Sequence, residues 1–185
     1  MSVRIERLPL HGPLFEGALD VYADAFAGPP YFDDDRGQEV RMRLLGEHGR
    51  RPGFRGIVAM EGDEVVGMTY AYTGGPGQWW HEEVRKRIPA AAYRRWLVRS
   101  VEVVEVAVSP KHQGKGIGTQ MVEALLEGRE EHTAVLSARC DSRAHELYRR
   151  LGFEEIARVT FSTAGAPFYI MGRQLPPANK NGGGG

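Results

Sequence analysis

The chain has 185 residues, of which 42% are hydrophobic and 26% charged, and its 24 lysines and arginines balance 24 aspartates and glutamates. This length and composition are typical of one globular domain with an ordinary core. The net charge of zero gives the whole molecule no electrostatic attraction to nucleic acid or to an anionic membrane. We therefore expect neither as a partner.

The sequence has no marks of a membrane or secreted protein. No apolar run approaches the roughly 20 residues that cross a bilayer, and residues 1–12 lack the apolar segment of a signal peptide. The single cysteine, Cys140, excludes an internal disulfide and suits a reducing compartment. One thiol and six scattered histidines do not make a closed zinc site. We expect a cytoplasmic protein without a metal.

The first half of the chain predicts a strand, two helices and a hairpin. Residues 3–9 read as a strand, and apolar residues at helical spacing predict helices over 14–26 and 37–47, separated by a break at 27–35. Residues 55–74 predict two strands joined by a tight turn at 61–63. A glycine break and a helical insertion, interrupted near Pro89, follow over 74–96.

The second half alternates strands with helices. Strands are predicted over 101–108 and 133–139, each followed by a helix, over 116–127 and 142–153, the latter capped by Gly152. Two further apolar runs, 154–162 and 167–175, flank residues 164–166. We predict an α/β fold, a mixed sheet with helices on its faces, in one domain over 1–175, with a disordered glycine-rich tail over 176–185.

The passage from strand 101–108 into the next helix carries the strongest functional signal. The loop QGKGIG, residues 113–118, lies between them. Backbone N–H groups of such a loop and the positive end of the helix dipole form an anion cradle, although glycine turns also join strands to helices for steric reasons alone. The spacing G-x-G-x-G fits neither the G-x-G-x-x-G of dinucleotide-binding folds nor a P-loop.

Two motifs resemble those of the GNAT acetyltransferase superfamily. The first is [QR]-x-x-G-x-[GA], met by Gln113, Gly116 and Gly118 after a V-x-P lead at 108–110. The second is A-x-x-L-Y-x-x-x-G-F, met at every defined position by residues 144–153. The resemblance covers the chain in outline and is specific over about 100–153. It implies a GNAT fold, with a central, mostly antiparallel sheet flanked by helices, that binds acetyl-CoA.

The resemblance also implies where the cofactor binds. The loop N–H groups would hold the pyrophosphate, the strand backbone would pair with the pantetheine arm, and the N–H near Val106 would polarise the thioester carbonyl, a contact worth about 3 kcal/mol. Family members often have asparagine where this chain has Asp141, and Arg143 is a compensating cation. The implied cofactor-binding residues are Val106, Ala107, Val108, Gln113, Gly114, Lys115, Gly116, Ile117, Gly118, Thr119, Arg143, Ala144 and Tyr148.

Catalytic roles follow from the same resemblance. In the family, the tyrosine at the position of Tyr148 protonates the departing thiolate; the alternative is a core aromatic. An amine of pKa about 10.4 is neutral in only roughly one part in 2,500 at pH 7, so a base is useful. Glu102 and Glu105 are the two candidates on an otherwise apolar strand, and a solvated or arginine-paired glutamate is the alternative for each.

The acceptor is less well specified. Asp33, Asp34 and Asp35 beside aromatic residues predict either a cation-binding wall or a loop that caps the next helix. Trp79 and Trp80 are either pocket walls or the core of the insertion. We predict an N-acetyltransferase that acts on a primary amine of a small molecule, as a monomer or homodimer. The alternatives are a peptide or protein amine acetyltransferase and a silent acyl-CoA-binding module.

Overall fold

The computed structural model describes residues 2–33 and 35–177. Two sequence predictions fall outside them: the role of Asp34 within the aspartate run, and the disorder of residues 178–185 in the tail. Residues 176–177 have no regular secondary structure.

Within the described residues, strands and helices follow the predicted order with bounds that differ by a few residues. Pro89 immediately precedes the second helix of the insertion, so the predicted interruption there is confirmed. The strands are β1 (Val3–Arg7), β2 (Arg55–Glu61), β3 (Glu64–Thr73), β4 (Ser100–Val108), β5 (Thr133–Arg139), β6 (Glu154–Thr160) and β7 (Pro167–Gln174). The helices are α1 (Gly12–Ala27), α2 (Arg36–Gly46), α3 (Trp79–Arg85), α4 (Ala90–Trp96), α5 (Ile117–Leu126) and α6 (Ala144–Arg150).

The strands form one mixed sheet in the order β1-β2-β3-β4-β5-β7-β6. β1 with β2, β2 with β3, β5 with β7 and β6 with β7 are antiparallel, whereas β4 and β5 pair in parallel. The predicted turn between β2 and β3 is present, with Gly62 at φ +62°. The predicted fold class, a mixed α/β fold with a sheet flanked by helices, is confirmed.

The chain divides into two compact units, and the first comprises the residues up to Tyr72 together with Val103–Leu125. Helix α1 presents one apolar face because its large side chains recur at intervals of three and four residues. That face shares a core with α2 and with residues of β2, β3 and the end of β4. Its buried members include Phe15, Leu19, Tyr22, Val40, Leu44, Val58 and Met68.

The second unit comprises Thr73–Glu102 and the residues from Leu126 onward. Trp80 packs on its core and donates a hydrogen bond from Nε1 to the Ser137 Oγ at 3.1 Å. The single domain expected from the sequence stays a prediction. The buried residues of this core include Val84, Ile88, Trp96, Leu97, Val135, Val159 and Ile170.

Among residues 2–33 and 35–177, none of the helices combines the length and the apolar character that crossing a bilayer requires.

Gly172 on β7 is a packing constraint of the second unit. A Cβ atom there would lie 2.4 Å from Cε3 of Trp96 and 2.8 Å from Cδ1 of Ile156. A buried indole ring cannot move aside without disturbing its neighbours, and overpacking of this kind costs about 1 to 3 kcal/mol. We expect Gly172→Ala to lower the free energy of unfolding by about that amount, measured by urea denaturation.

Gly46→Ala is the matched control. Gly46 is the last residue of α2, and nothing lies within 4 Å of the position that its Cβ would take. Because alanine is the better helix former, this variant should be as stable as the wild type or slightly more stable. Equal losses in the two variants would contradict the packing argument.

Candidate active site

The passage from β4 to α5 is fixed by hydrogen bonds within the first unit. The N–H of Ser109 donates to the Val66 carbonyl at 2.9 Å, and the side-chain amide of Gln113 donates to the carbonyl of Val108 at 3.1 Å. His112 is buried, and its Nε2 lies 3.1 Å from Glu61 Oε2 at the end of β2. The loop therefore leaves the sheet from a braced turn. The sequence predicted a loop here but not the bracing role of the Gln113 side chain.

The loop depends on glycine for its backbone conformation. Gly114 and Gly116 have φ of +77° and +79°, in the left-handed region that other residues adopt only with strain. Open space surrounds the position of a Cβ atom at both glycines, so packing alone does not require them. Gly116 accepts the N–H of Gln120 at 3.1 Å, which places the start of α5 at this residue.

The start of α5 is suited to an anion. The first N–H groups of a helix have no partner inside it, and the helix dipole adds positive charge there. Residues 113–116, which include the charged Lys115, are exposed, and so is Thr119. Ile117 and Met121 are buried and anchor the helix in the core. These groups match what a pyrophosphate requires, namely backbone donors, a nearby cation and no side chain in the way.

The residues at the end of β4 lie outside the part of the strand that pairs in parallel with β5. That pairing joins Ser100, Val101 and Glu102 to residues 133–135, and residues 106–108 lie beyond this register. Ala107 is buried, whereas Val106 and Val108 are half-buried. The predicted pairing of this backbone with a pantetheine arm stays a prediction.

Glu105 is paired with an arginine, which was one alternative in the sequence analysis, within a charged cluster of the first unit whose members the sequence did not identify. Its side chain is 14% exposed, and its Oε1 lies 3.2 Å from Nη2 of Arg43 on α2. Thr69 on β3 donates from Oγ1 to the Glu105 main-chain carbonyl at 2.7 Å. The hydroxyl of Tyr22 is buried and interacts electrostatically with the carboxylate.

Burial raises the pKa of Glu105 above its ordinary value, and Arg43, Arg36 and Tyr22 oppose that rise. Burial also raises the pKa of Tyr22 and Tyr70, and the charge of Glu105 raises both further. Both phenols therefore stay protonated at neutral pH. The cluster thus holds a carboxyl group whose proton affinity is increased, which is the property that a base near neutral pH requires.

Glu102 has a different environment from Glu105. It is only 4% exposed, and it sits in the part of β4 that pairs with β5, opposite Val135. It belongs to the second unit, whereas Glu105 belongs to the first.

Tyr148 is held at the end of α6 by a Schellman motif. Phe153 N–H donates to the Tyr148 carbonyl at 2.9 Å, and Gly152 N–H donates to the Arg149 carbonyl at 3.0 Å, with Gly152 at φ +83°. The Tyr148 and Phe153 rings lie 5.8 Å apart, and Tyr148 is 7% exposed. The predicted glycine cap is confirmed. The role of the Tyr148 hydroxyl stays a prediction.

The start of α6 carries the other predicted cofactor contacts. Asp141 forms a bidentate ion pair with Arg139, at 2.9 and 2.7 Å, so its charge is largely compensated by a residue that the sequence analysis did not name. The Arg143 side chain is 92% exposed and lies 3.6 Å from Glu146. The Ala144 N–H donates to Ser142 Oγ at 3.1 Å.

The predicted acceptor residues have separate roles. Asp33 accepts from Nε of Arg36 at 3.0 Å and from the N–H of Asp35 at 3.3 Å. The Asp33 carboxylate is thus engaged by its neighbours in the chain, while Asp35, the N-cap of α2, makes no side-chain capping hydrogen bond. Trp79 is 64% exposed, whereas Trp80 is half-buried and packs against the core of its unit. No group of histidine, cysteine and carboxylate side chains within residues 2–33 and 35–177 is arranged to hold a metal ion.

Sequence reasoning missed Arg36, Arg43, Tyr22 and Tyr70 as neighbours of Glu105. Arg43 precedes Glu105 by 62 residues, and an arginine on an amphipathic helix reads as a solvated side chain. The only available signal was indirect, because an ionisable residue in an apolar strand requires a partner from elsewhere.

Comparisons with known proteins agree with this geometry. The Acetyltransferase (GNAT) domain family matches residues 52–155, more than half of the chain. A GCN5-like protein acetyltransferase of Mycobacterium tuberculosis is 35% identical in a match that covers 86% of this chain and 90% of that protein.

Solved structures share the fold. The PaiA N-acetyltransferase of Thermoplasma acidophilum, in complex with coenzyme A, superposes with a TM-score of 0.61 at 12% identity, covering 95% of this chain and 100% of that one. An aminoglycoside 6′-acetyltransferase type Ii gives a TM-score of 0.64 at 18% identity, covering 94% and 98%. At these identities the likeness concerns the fold alone. The family match and the 35% identical relative show that this chain belongs to the GNAT family of acetyltransferases.

Proposed function

We propose that the chain transfers an acetyl group from acetyl-CoA to a primary amine by direct attack of the amine. The observation that carries this proposal is the braced glycine loop at the start of α5, in a chain of an acetyltransferase family. Bound acetyl-CoA supplies an acetyl thioester, which is activated toward amines. The N–H groups of the loop and of the first turn of α5 hold the phosphates, with Lys115 as the nearby cation. The N–H near Val106 donates to the carbonyl oxygen as charge develops on it.

Glu105 is the proposed base. It accepts the proton that the amine loses as the carbon–nitrogen bond forms, directly or through a water molecule. Its residual side-chain exposure of 14% supports this assignment over Glu102, which is buried within the paired part of the sheet. The raised pKa of Glu105 suits a base near neutral pH. Glu102 remains the alternative base.

Tyr148 is the proposed acid. As the carbon–sulfur bond breaks, its hydroxyl donates a proton to the departing thiolate. The Schellman motif supports the proposal because its hydrogen bonds fix the main chain at Tyr148, and the ring of Tyr148 contacts that of Phe153. A phenol with a pKa far above that of a thiol is an effective donor only when its position is fixed.

Two acceptor classes remain candidates. A small-molecule amine was predicted from the sequence, and an aminoglycoside acetyltransferase shares the fold. A protein amine is favoured by the relative described as a protein acetyltransferase, at 35% identity over most of the chain. Asp33 is already engaged by Arg36, which weakens the argument that the aspartates bind a polycationic acceptor. A silent acyl-CoA-binding module is a third possibility, and ligand binding alone would require neither Tyr148 nor Glu105.

Gly116→Glu tests the phosphate cradle. A glutamate there adds a negative charge at the anion site and an L side chain at φ +79°. We expect acetyl-CoA affinity, measured by calorimetry, to fall by at least about 100-fold because several charge-assisted hydrogen bonds are lost.

Gly128→Glu is the control for that variant. Gly128 has φ of +64° with open space at its Cβ position, so the backbone strain and the added charge are the same. Its affinity for acetyl-CoA should equal that of the wild type. Equal affinity in both variants would remove the loop from the binding site.

Tyr148→Phe tests the acid. The ring and its contact with Phe153 remain and only the hydroxyl is lost, so we expect kcat to fall at least about tenfold while acetyl-CoA affinity changes little. Tyr93→Phe removes a different hydroxyl of the second unit, one that contacts His81 at 3.3 Å, and should leave kcat unchanged. Unchanged turnover in Tyr148→Phe would show that the hydroxyl takes no part.

Glu105→Gln tests the base through its pH dependence. In the wild type, kcat/KM should fall as pH drops through the pKa of Glu105, which burial places above its ordinary value. In the variant no carboxylate takes the proton, so the rate should follow the fraction of neutral amine and approach the wild type only at high pH. If Glu102→Gln shows this behaviour and Glu105→Gln does not, Glu102 is the base.

A further inference from the structure

The ion pair between Glu105 and Arg43 joins two distant parts of the first unit. Arg43 lies in the last turn of α2, and its guanidinium is 3.2 Å from the carboxylate of a residue on β4. The glutamate side chain is 14% exposed and the arginine side chain 40% exposed. The pair therefore lies at the edge of the core, where water is reduced but not excluded.

The packing of α2 determines where the Arg43 guanidinium lies. Val40 and Leu44, on either side of Arg43 along the helix, are 0% and 1% exposed and fix this face of α2 against the core. The start of the helix is held by Arg36, which pairs with Asp33 and lies 4.4 Å from the ring centre of Phe26. The guanidinium is thus presented to β4 by an anchored helix.

Arg41 provides an internal comparison. It is two residues from Arg43 on the same helix and therefore faces a different direction. Its guanidinium pairs with Glu16 of α1, whose side chain is 56% exposed. The two arginines thus share a helix and a charge, but only Arg43 contacts the carboxylate on β4.

We propose that Arg43 is a positioning residue that orients the Glu105 carboxylate and keeps it ionised, so that it can accept the proton of the attacking amine. This inference rests on the proposed function, in which Glu105 is the base. A carboxylate removed from water takes up a proton unless a positive charge or hydrogen bonds stabilise the ionised form. Arg43 supplies that charge by direct contact.

The other groups that face Glu105 do not replace Arg43. Arg36, also on α2, contributes positive charge but shares it with Asp33. Tyr22 on α1 and Tyr70 on β3 are neutral phenols, and the Glu105 charge raises the pKa of each. Without Arg43, the balance moves toward the protonated carboxyl group, which cannot act as a base.

The test compares Arg43→Gln, Arg43→Lys and Arg41→Gln with the wild type by two measurements. The first is the titration of the Glu105 carboxyl carbon in protein labelled with ¹³C-glutamate, assigned by its loss in Glu105→Gln. The second is the acid limb of kcat/KM against pH. The titration requires no acceptor and no turnover, so it reports on the ion pair independently of the proposed reaction.

We expect Arg43→Gln to raise the Glu105 titration midpoint by at least about one pH unit and to move the acid limb of kcat/KM by the same amount. Arg43→Lys keeps the charge and should restore most of both values. Arg41→Gln should match the wild type, because its partner is Glu16. If Arg43→Gln does not fold, Arg43→Met takes the place of that variant in both measurements, because methionine preserves the aliphatic stem of the arginine.

Two results would overturn the inference in different ways. An unchanged Glu105 midpoint in a folded Arg43→Gln or Arg43→Met variant would show that the ion pair does not control ionisation. A midpoint that moves while the acid limb stays fixed would show that Glu105 is not the base, which rejects that part of the proposed function and reduces Arg43 to a structural partner.

Discussion

The conformation of the chain between β4 and α5 is the constraint on which the proposed site depends. The strand must end, turn and start a helix while its backbone N–H groups stay free for an anion. Positive φ at Gly114 and Gly116 makes this turn possible, and the contacts of Gln113 with the Val108 carbonyl and of His112 with Glu61 hold it against the sheet. Because Ile117 and Met121 are buried, the helix that begins there cannot shift without disturbing the core. The loop is therefore both exposed and fixed, which lowers the entropic cost of binding phosphate.

The second requirement is a charged group where the strand is otherwise apolar. Moving a carboxylate out of water is costly, and the cost is reduced here by a guanidinium at 3.2 Å and by residual solvent access. Burial and the arginine act on the pKa of Glu105 in opposite directions, and burial is the stronger influence. A balance of this kind gives a carboxyl group that binds a proton more tightly than one in water, and the arginine limits that increase. The same helix that contributes Arg43 also packs against α1, so the packing of the first unit and the chemistry proposed for Glu105 depend on the same contacts.

Sequence reasoning succeeded where the determinants are local. The glycine loop, the turn at Gly62 and the cap at Gly152 depend on residues within a few positions of each other, and all three are present. It failed where partners are distant in the chain. Arg43, the partner of Glu105 across 62 residues, was not considered at all. No periodicity or spacing relates residue 43 to residue 105, because their contact exists only once α2 has packed against the sheet. The acceptor is likewise undetermined by the sequence, since it depends on the shape of surfaces rather than on a motif.

The most direct test of the account compares two acetyl donors by calorimetry: acetyl-CoA and S-acetylpantetheine, which carries the same thioester without the nucleotide and its phosphates. This measurement needs no acceptor and isolates the contribution of the phosphates. The account predicts saturable binding of acetyl-CoA at one site, tighter than that of S-acetylpantetheine by at least about 100-fold, because the loop and the start of α5 bind the pyrophosphate. Equal affinity for the two donors, or no binding of acetyl-CoA, would contradict it.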